Sequence, residues 1–258
     1  MTPYYQDELV TLYHGDCLTV LPQLPAQSAS MMLVDPPYGV TQNEWDTMPD
    51  LEKFWNAVRW ICSGAIVMTA RQPFSSMAVM SNLAMFKWED IWKKTQATGH
   101  LNAQRMPMRQ HENILVFGND IVFNPQLRTK PAENVRPETP RTKQSTNYGH
   151  HPLERRRTIP MDQSYPSSIV EFANCQDWQH PTQKPIDLFK YLLLTYSNAG
   201  DMVADPYCGA GTTLVAAKQL HRNAIGIEIE ERYCEISARR LTQEMSFAAN
   251  AMTSTHGV

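Results

Sequence analysis

Met31-Met32-Leu33-Val34-Asp35-Pro36-Pro37-Tyr38-Gly39 is an apolar run that stops at an acid, two prolines, an aromatic ring and a glycine. Four consecutive apolar residues bounded by turn formers have the pattern of a strand buried on both faces, and Gly39 supplies the turn that follows. Asp35 therefore falls just past the carboxyl end of a strand, where open α/β sheets bind their ligands. Proline, aspartate and glycine also dominate ordinary turns, so by itself the stretch reads equally well as a plain turn. Its composition carries the functional hint: a carboxylate beside an aromatic plate suits chemistry on an amino group attached to a flat ring.

The flanking sequence alternates between strand and helix patterns. Val10 to His14 is a strand candidate ending at Gly15-Asp16, and Cys17 to Leu24 a short helix. After the opening stretch, Leu51 to Cys62 has apolar residues at helical spacing (Leu51, Phe54, Trp55, Val58, Ile61), followed by a strand at Ala65-Ile66-Val67-Met68. Gln72 to Met85 reads as a helix, Trp88 to Trp92 and Ile114 to Phe117 as strands. Past residue 179, Pro185 to Ser197 is a buried helix opened by a first-turn proline. Met202 to Asp205 is then a strand, Thr213 to Leu220 a helix, Ala224 to Glu228 a strand and Glu230 to Leu241 a closing helix. Such alternation predicts a doubly wound α/β domain with a largely parallel sheet.

Composition narrows the class. The 258 residues suffice for one α/β domain with an insert, and 42% hydrophobic with 19% charged residues is ordinary for a globular chain. No apolar run reaches the roughly 18 residues of a membrane span, and Met1 to Val10 has neither a basic region nor an apolar core, so a cytoplasmic protein without a membrane partner is expected. Cys17, Cys62, Cys175, Cys208 and Cys234 are dispersed, which points to reduced thiols and away from a zinc site or a disulfide frame.

Between residues 124 and 179 the alternation stops, prolines recur and apolar residues thin out, so this segment is expected to be an insert with its own task. It divides the chain into 1–123, the insert 124–179, a second half 180–247 and a small polar tail 248–258 expected to be flexible. From Asn124 to Pro160 the charge is +5, which leaves −8 for the rest of a chain of net charge −3. A basic face of this kind suits a polyanion, although a solvated loop has the same composition.

A second motif, Asp205-Pro206-Tyr207-Cys208-Gly209-Ala210-Gly211-Thr212-Thr213, joins a strand to a helix through a glycine-rich turn. Glycines there allow close approach of a ligand, and the helix start offers free N–H groups. A phosphate-binding loop would end in G-K-[ST] and a dinucleotide fingerprint would have a third glycine near Val215; neither is present. Glu228, seventeen residues after Gly211 at the end of the next strand, is placed to accept hydrogen bonds from ribose hydroxyls. S-adenosylmethionine, with a ribose, an adenine and no phosphate, fits that set. Other signals fail: Leu115, not a second histidine, stands four positions after His111, no serine sits in a G-x-S-x-G elbow, and Cys208 has no base beside it.

With both motifs in place, the sequence resembles the amino-directed DNA methyltransferases of the permuted β group, in which the catalytic motif precedes the cofactor motif. Asp35-Pro36-Pro37-Tyr38 matches the family's catalytic motif, Asp205 to Thr213 its cofactor loop, and His180-Pro181-Thr182-Gln183-Lys184-Pro185 the element ahead of that loop. Gly15-Asp16, His111-Glu112 and the run from Gly226 through Glu228 to Arg239 also fall in family order. Tyr207 stands where the family usually has phenylalanine, which keeps the aromatic face.

The resemblance implies a circularly permuted, seven-stranded sheet of the S-adenosylmethionine-dependent methyltransferase type, with the strands ending at Asp35 and Asp205 as neighbours and the insert as the target-recognition region. Asp35 and the Pro36 carbonyl would accept the two amino hydrogens of a base, Pro36 and Pro37 would restrict the loop, and Tyr38 would stack on a base flipped out of the duplex. Asp205, Tyr207, Gly209, Gly211 and Thr212 would form the cofactor loop, Asp16 would meet the cofactor adenine, Glu228 the ribose, and Thr182 with Lys184 the methionine carboxylate. Arg128, Lys130, Arg141, Lys143 and above all Arg155, Arg156 and Arg157 would neutralise phosphates of double-stranded DNA recognised by sequence. A homodimer and a restriction endonuclease with the same target are further partners the family admits. An aspartate at the head of the motif favours adenine N6, cytosine N4 being the alternative; a catalytically silent specificity subunit is the alternative of another class.

Overall fold

The structure is a computed structural model describing residues 1–39, 46–135, 158–175 and 183–254, with side chains to residue 243. The chain forms two compact units, Met1–Asn124 with Ser168–Val258, and Pro125–Ser167. The larger unit contains β1 (Tyr5–Gln6), β2 (Val10–His14), α1 (Cys17–Val20), β3 (Ala29–Val34), α2 (Leu51–Ile61), β4 (Cys62–Ala70), α3 (Phe74–Ser81), β5 (Phe86–Thr98) and β6 (Arg109–Phe117). In the smaller unit, β7 (Arg128–Thr129) and β8 (Gln163–Ser164) pair antiparallel. The larger unit resumes with β9 (Ile169–Phe172), α4 (Ile186–Tyr196), β10 (Met202–Asp205), α5 (Thr212–Gln219), β11 (Asn223–Glu228) and α6 (Glu231–Ser254).

The sheet order is β1-β2-β11-β10-β3-β4-β6-β5-β9. Seven strands correspond to those expected, and a short strand is added at each edge. β1 pairs antiparallel with β2, while β9 pairs parallel with β5. The block β2-β11-β10-β3-β4 is parallel throughout, and β6 runs antiparallel between β4 and β5. Val203 faces Met31 and Ala204 faces Met32, so the two strands that end in Asp205 and Asp35 lie side by side. The chain leaves β10 through α5 toward β11 and leaves β3 through α2 toward β4, in opposite directions. Their junction is therefore a topological switch point, where open sheets form a crevice.

The period of two along the central strands builds a core on each face of the sheet. Met31 and Leu33 pack with Val203, Leu188, Leu192 and Leu214 on the side of α4 and α5. Met32 and Val34 pack with Ile66, Met68, Phe54 and Val58 on the side of α2. In α2, Asp50 caps the first turn by accepting from the Lys53 amide at 3.2 Å, and Phe54, Trp55, Val58 and Ile61 are each 2% exposed or less. Burying each of those side chains contributes about 1.5–3 kcal/mol.

Several boundaries differ from expectation. Ile169–Phe172, counted with the insert in the sequence, is a strand of the main sheet and not part of the smaller unit. Four residues on an edge, two of them exposed, carry too little apolar pattern to be seen. β5 and β6 are longer than expected because their outer halves are polar. The α6 backbone stays helical to Ser254, past the expected start of the tail at Ala248, in a stretch whose alanines favour helix.

β4 lies against an irregularity in β3 between Ala29 and Met31, and this contact makes a clear demand on one residue. A Cβ on Gly64 would lie 2.2 Å from the Ser30 carbonyl oxygen, so the strands fit only with glycine there. Gly64→Ala should destabilise the protein by about 2 kcal/mol or more. Urea denaturation followed by circular dichroism checks this; an unchanged midpoint would show that the contact relaxes without cost.

Candidate active site

The strand ends at the switch point open into a cavity of about 710 Å³ lined by the Asp35-to-Tyr38 loop, the Asp205-to-Thr212 loop, the start of α1 and the end of β11. Asp35, Pro36, Pro37, Tyr38, Asp16, Lys184, Asp205, Tyr207, Gly209, Thr212 and Glu228 all line it. Gly211, the N-cap of α5, is not part of the lining; it supports the loop from behind, its amide donating to the Cys208 carbonyl at 2.8 Å. Thr182, Arg141, Lys143, Arg155, Arg156 and Arg157 lie outside the described residues. Arg128 and Lys130 belong to the smaller unit, where Arg128 donates to Ser167 Oγ at 3.0 Å and Lys130 to the Met161 carbonyl at 3.2 Å.

Asp35 is held by three side chains. Its Oδ1 accepts from Tyr38 Oη at 2.6 Å, from Thr69 Oγ1 at 2.5 Å and from Lys184 Nζ at 2.7 Å; among the described residues Oδ2 accepts from Lys184 alone, at 2.8 Å. Thr69 reaches Asp35 from β4, the strand beside β3. Tyr38 Oη also lies 2.9 Å from Thr69 Oγ1, and its ring lies 5.4 Å from Phe74. The hydroxyl of Tyr38 thus orients the carboxylate, in addition to the ring offering a flat surface. The loop itself is fixed by Asp46, whose Oδ1 accepts from the Tyr38 and Gly39 amides at 2.8 and 2.9 Å.

Lys184, expected at a cofactor carboxylate, instead pairs with carboxylates of the chain. Besides Asp35 it lies 3.5 Å from Glu112 Oε2, and Glu112 Oε1 accepts from Lys94 at 2.5 Å. Burial would lower the Lys184 ammonium, but attraction from Asp35 and Glu112 outweighs it and raises the pKa above the ordinary lysine value. A buried cation without such partners would carry a large desolvation cost. An alternating row Lys94, Glu112, Lys184, Asp35 therefore runs into the cavity.

The glycine-rich loop is fastened from below. Asp205, 3% exposed, accepts from Thr213 Oγ1 at 2.5 Å and from the Tyr207 amide at 3.0 Å. Burial lifts its carboxyl from 3.8 to about 7 against the pull of those two donors, with Asp35 and Glu228 adding repulsion. Glu228 accepts from the Gly209 amide at 2.9 Å and the Glu230 amide at 2.8 Å; burial raises it, opposed by these amides. Tyr207 lies 6.2 Å from Phe54, which ties the loop to α2. Gly211 has φ 76° and stands so close to α6 that a Cβ would lie 2.0 Å from Ser237 Oγ. From α6, Arg240 donates to the Ala210 carbonyl. Asp16 caps α1 by accepting from the Leu18 amide at 3.0 Å and faces the cavity.

These donors and acceptors agree with S-adenosylmethionine. Around the glycine-rich loop the lining is acidic (Asp16, Asp205, Glu228, Glu230), which suits hydroxyls, an amino group and a positively charged sulfur. A phosphate would be repelled there. The nearby cations Lys218 and Arg240 are engaged with Asp7 and the Ala210 carbonyl.

Sequence reasoning missed Thr69, Asp46, Lys94 and the pairing of Glu112. Thr69 and Lys94 sit inside strands, where nothing marks them. Asp46 is one acid in a stretch without periodicity. His111-Glu112 was visible as a family element but had no partner until Lys184 was brought beside it.

Comparison with known proteins places this geometry. The family model for "DNA methylase" matches residues 29–239. The DNA adenine methyltransferase YhdJ of Escherichia coli (strain K12) is 26% identical over 277 residues, spanning 96% of this chain and 88% of that protein. The Type II methyltransferase M2.DpnII of Streptococcus pneumoniae is 24% identical over 280 residues, spanning 94% and 93%. Among solved structures, the M1.HpyAVI–SAM complex has a TM-score of 0.61 at 23% identity, over 90% of this chain and 99% of that one. The cytosine-N4-specific PvuII DNA methyltransferase has a TM-score of 0.66 at 16% identity, over 92% and 88%, so the fold is common to both. The chain belongs to the N6/N4 DNA methylase family and is an S-adenosylmethionine-dependent DNA methyltransferase.

Proposed function

We propose that this enzyme methylates the exocyclic N6 of an adenine flipped out of double-stranded DNA at a specific sequence. The observation that carries the reading is the Asp35 carboxylate, fixed by Tyr38, Thr69 and Lys184 at the cavity wall, with Oδ2 engaged by a single donor among the described residues. An adenine amino group is a poor nucleophile because its lone pair is shared with the ring. Acceptors on both amino hydrogens favour a pyramidal nitrogen and become stronger partners as positive charge develops there. Asp35 Oδ2 and the Pro36 carbonyl are those acceptors in this proposal, and the Tyr38 ring holds the face of the base. Proline at 36 and 37 brings no amide that would compete for them.

S-adenosylmethionine supplies a methyl group carried on a positively charged sulfur. Glu228 would bind its ribose, Asp16 its adenine amino group, and the Gly209 to Thr212 turn would pack against its methionine portion. With Lys184 committed to Asp35 and Glu112, its assignment to the methionine carboxylate is replaced by one of orienting Asp35. Adenine is favoured over cytosine by the aspartate at the head of the motif and by the relative named a DNA adenine methyltransferase. Arg128 and Lys130, with the other basic residues of 124–179, would contact phosphates within a target-recognition region. The proposal extends to a cytoplasmic homodimer and, because several relatives are named Type II methyltransferases, to a restriction endonuclease sharing its target. Among the described residues no helix is long and apolar enough to cross a membrane.

Nucleoside mass spectrometry of DNA incubated with the enzyme and S-adenosylmethionine should detect N6-methyladenine. N4-methylcytosine without it would overturn the choice of base, and no methylated nucleoside at all would favour a silent DNA-binding subunit. Asp35→Asn keeps the shape but weakens the acceptor, and should lower kcat by about 10²-fold or more while cofactor affinity stays within a few-fold. Full activity in that variant would remove Asp35 from the chemistry.

Asp205 gives a pH dependence. Its pKa of about 7 means that the carboxyl is protonated below that pH, and a cationic ligand beside it favours the ionised form. Cofactor affinity should therefore rise between pH 6 and 8. Titration calorimetry in buffers of different ionisation enthalpy should record proton release on binding near pH 7. Asp205→Asn should flatten the profile; an unchanged slope would assign the titration to another group.

A further inference from the structure

Three cations line the cavity: Arg71, Lys94 and Lys184. The two lysines are engaged with Glu112 and Asp35. Arg71 has no ion pair among the described residues, and its Nε is buried without a hydrogen-bond partner. A guanidinium presents a rigid fork of donors suited to carboxylate or phosphate oxygens, and a buried N–H left unmatched costs free energy that such a ligand would recover.

Topology decides which anion. Arg71 directly follows β4, and β4 flanks β3 on the side opposite β10. The glycine-rich loop follows β10, so Arg71 stands two strand spacings away from it, about 10 Å across the sheet, with Asp35 between. That is the side of Asp35 away from the cofactor loop. The Arg71 carbonyl also accepts from the Ser75 amide, which places the residue at the first turn of α3, whose N-cap, Pro73, provides no side-chain acceptor. The helix dipole adds positive potential there.

We propose that Arg71 binds a backbone phosphate next to the extruded target nucleotide and so positions the base against Asp35. This rests on the base-flipping reading above and adds to it a phosphate site within the active-site cavity, separate from the basic residues of the insert. Base extrusion rotates the nucleotide about its backbone, so the flanking phosphates are carried toward the cavity mouth with it. A cation fixed on the far side of Asp35 would then hold the strand in register while the ring is gripped.

The experiment couples a protein change to a chemical change in DNA. Arg71→Gln should raise KM for DNA about ten- to a hundredfold and reduce the steepness of the log affinity against log salt plot by about one unit, with S-adenosylmethionine affinity unchanged. Duplexes carrying an uncharged methylphosphonate at one phosphate flanking the target base should cost the wild type a similar factor and cost Arg71→Gln little more. Independent, additive losses would overturn the contact, as would an unaffected KM. Weakened cofactor binding with normal DNA binding would overturn it in favour of the methionine carboxylate. Should Arg71→Gln fold poorly by thermal denaturation, Arg71→Lys read against the same duplexes provides the coupling. Failure of the underlying reading is separately visible, because the wild type would then yield N4-methylcytosine without N6-methyladenine, or no methylated nucleoside.

Discussion

The parallel pairing of β10 with β3 is the contact on which the site depends. Two register pairs, Val203 with Met31 and Ala204 with Met32, align residues that lie 172 positions apart in the chain. One residue beyond β3 and at the end of β10 stand the two aspartates, Asp35 and Asp205. Their side chains do opposite things. Asp35 is partly exposed and compensated by a lysine, so it remains available to a ligand. Asp205 is buried with no cation beside it among the described residues and is kept in place by a hydroxyl and an amide, so its charge is costly. The acid that faces the cavity beside Lys184 is thus charge-compensated, while the one beneath the glycine-rich loop is poised to titrate.

What could be read from the sequence was whatever depends on neighbours in the chain. The apolar run before Asp35, the glycine turn after Asp205 and Glu228 at the next strand end each announce a strand, a turn and a polar tip within a few residues. Lys184 was legible as a residue of a family element, but its partners were not, since Asp35 and Glu112 reach it from elements distant in the chain. Thr69 is indistinguishable from any threonine in a strand until β4 pairs with β3. Ile169–Phe172 escaped for a related reason: an edge strand needs apolar residues on one face only, and here their number is too small to show a period.

The charges of the cavity are unevenly distributed. Acids gather about the glycine-rich loop, whereas all three cations of the lining are contributed by β4, β5 and the start of α4 or residues next to them. Around the glycine-rich loop the acids favour a cationic ligand, whereas the charges of Lys94, Glu112, Lys184 and Asp35 offset one another. Glu112 tethers two lysines, and Glu228 gathers the amides of Gly209 and Glu230.

The strand order also governs how the chain reaches this state. During synthesis β3 and β4 emerge early, but the neighbour that covers the other edge of β3 is encoded far downstream. Until β10 arrives, β3 presents open backbone groups on a very apolar strand, the sort of edge that recruits other chains. Non-local pairing of this kind is slow to form because a long loop must close first. The chain order, with β3 and β4 ahead of β10 and β11, therefore makes the nascent N-terminal half dependent on completion of the C-terminal half, so neither the complete cavity nor a protected sheet exists before the last strands are made.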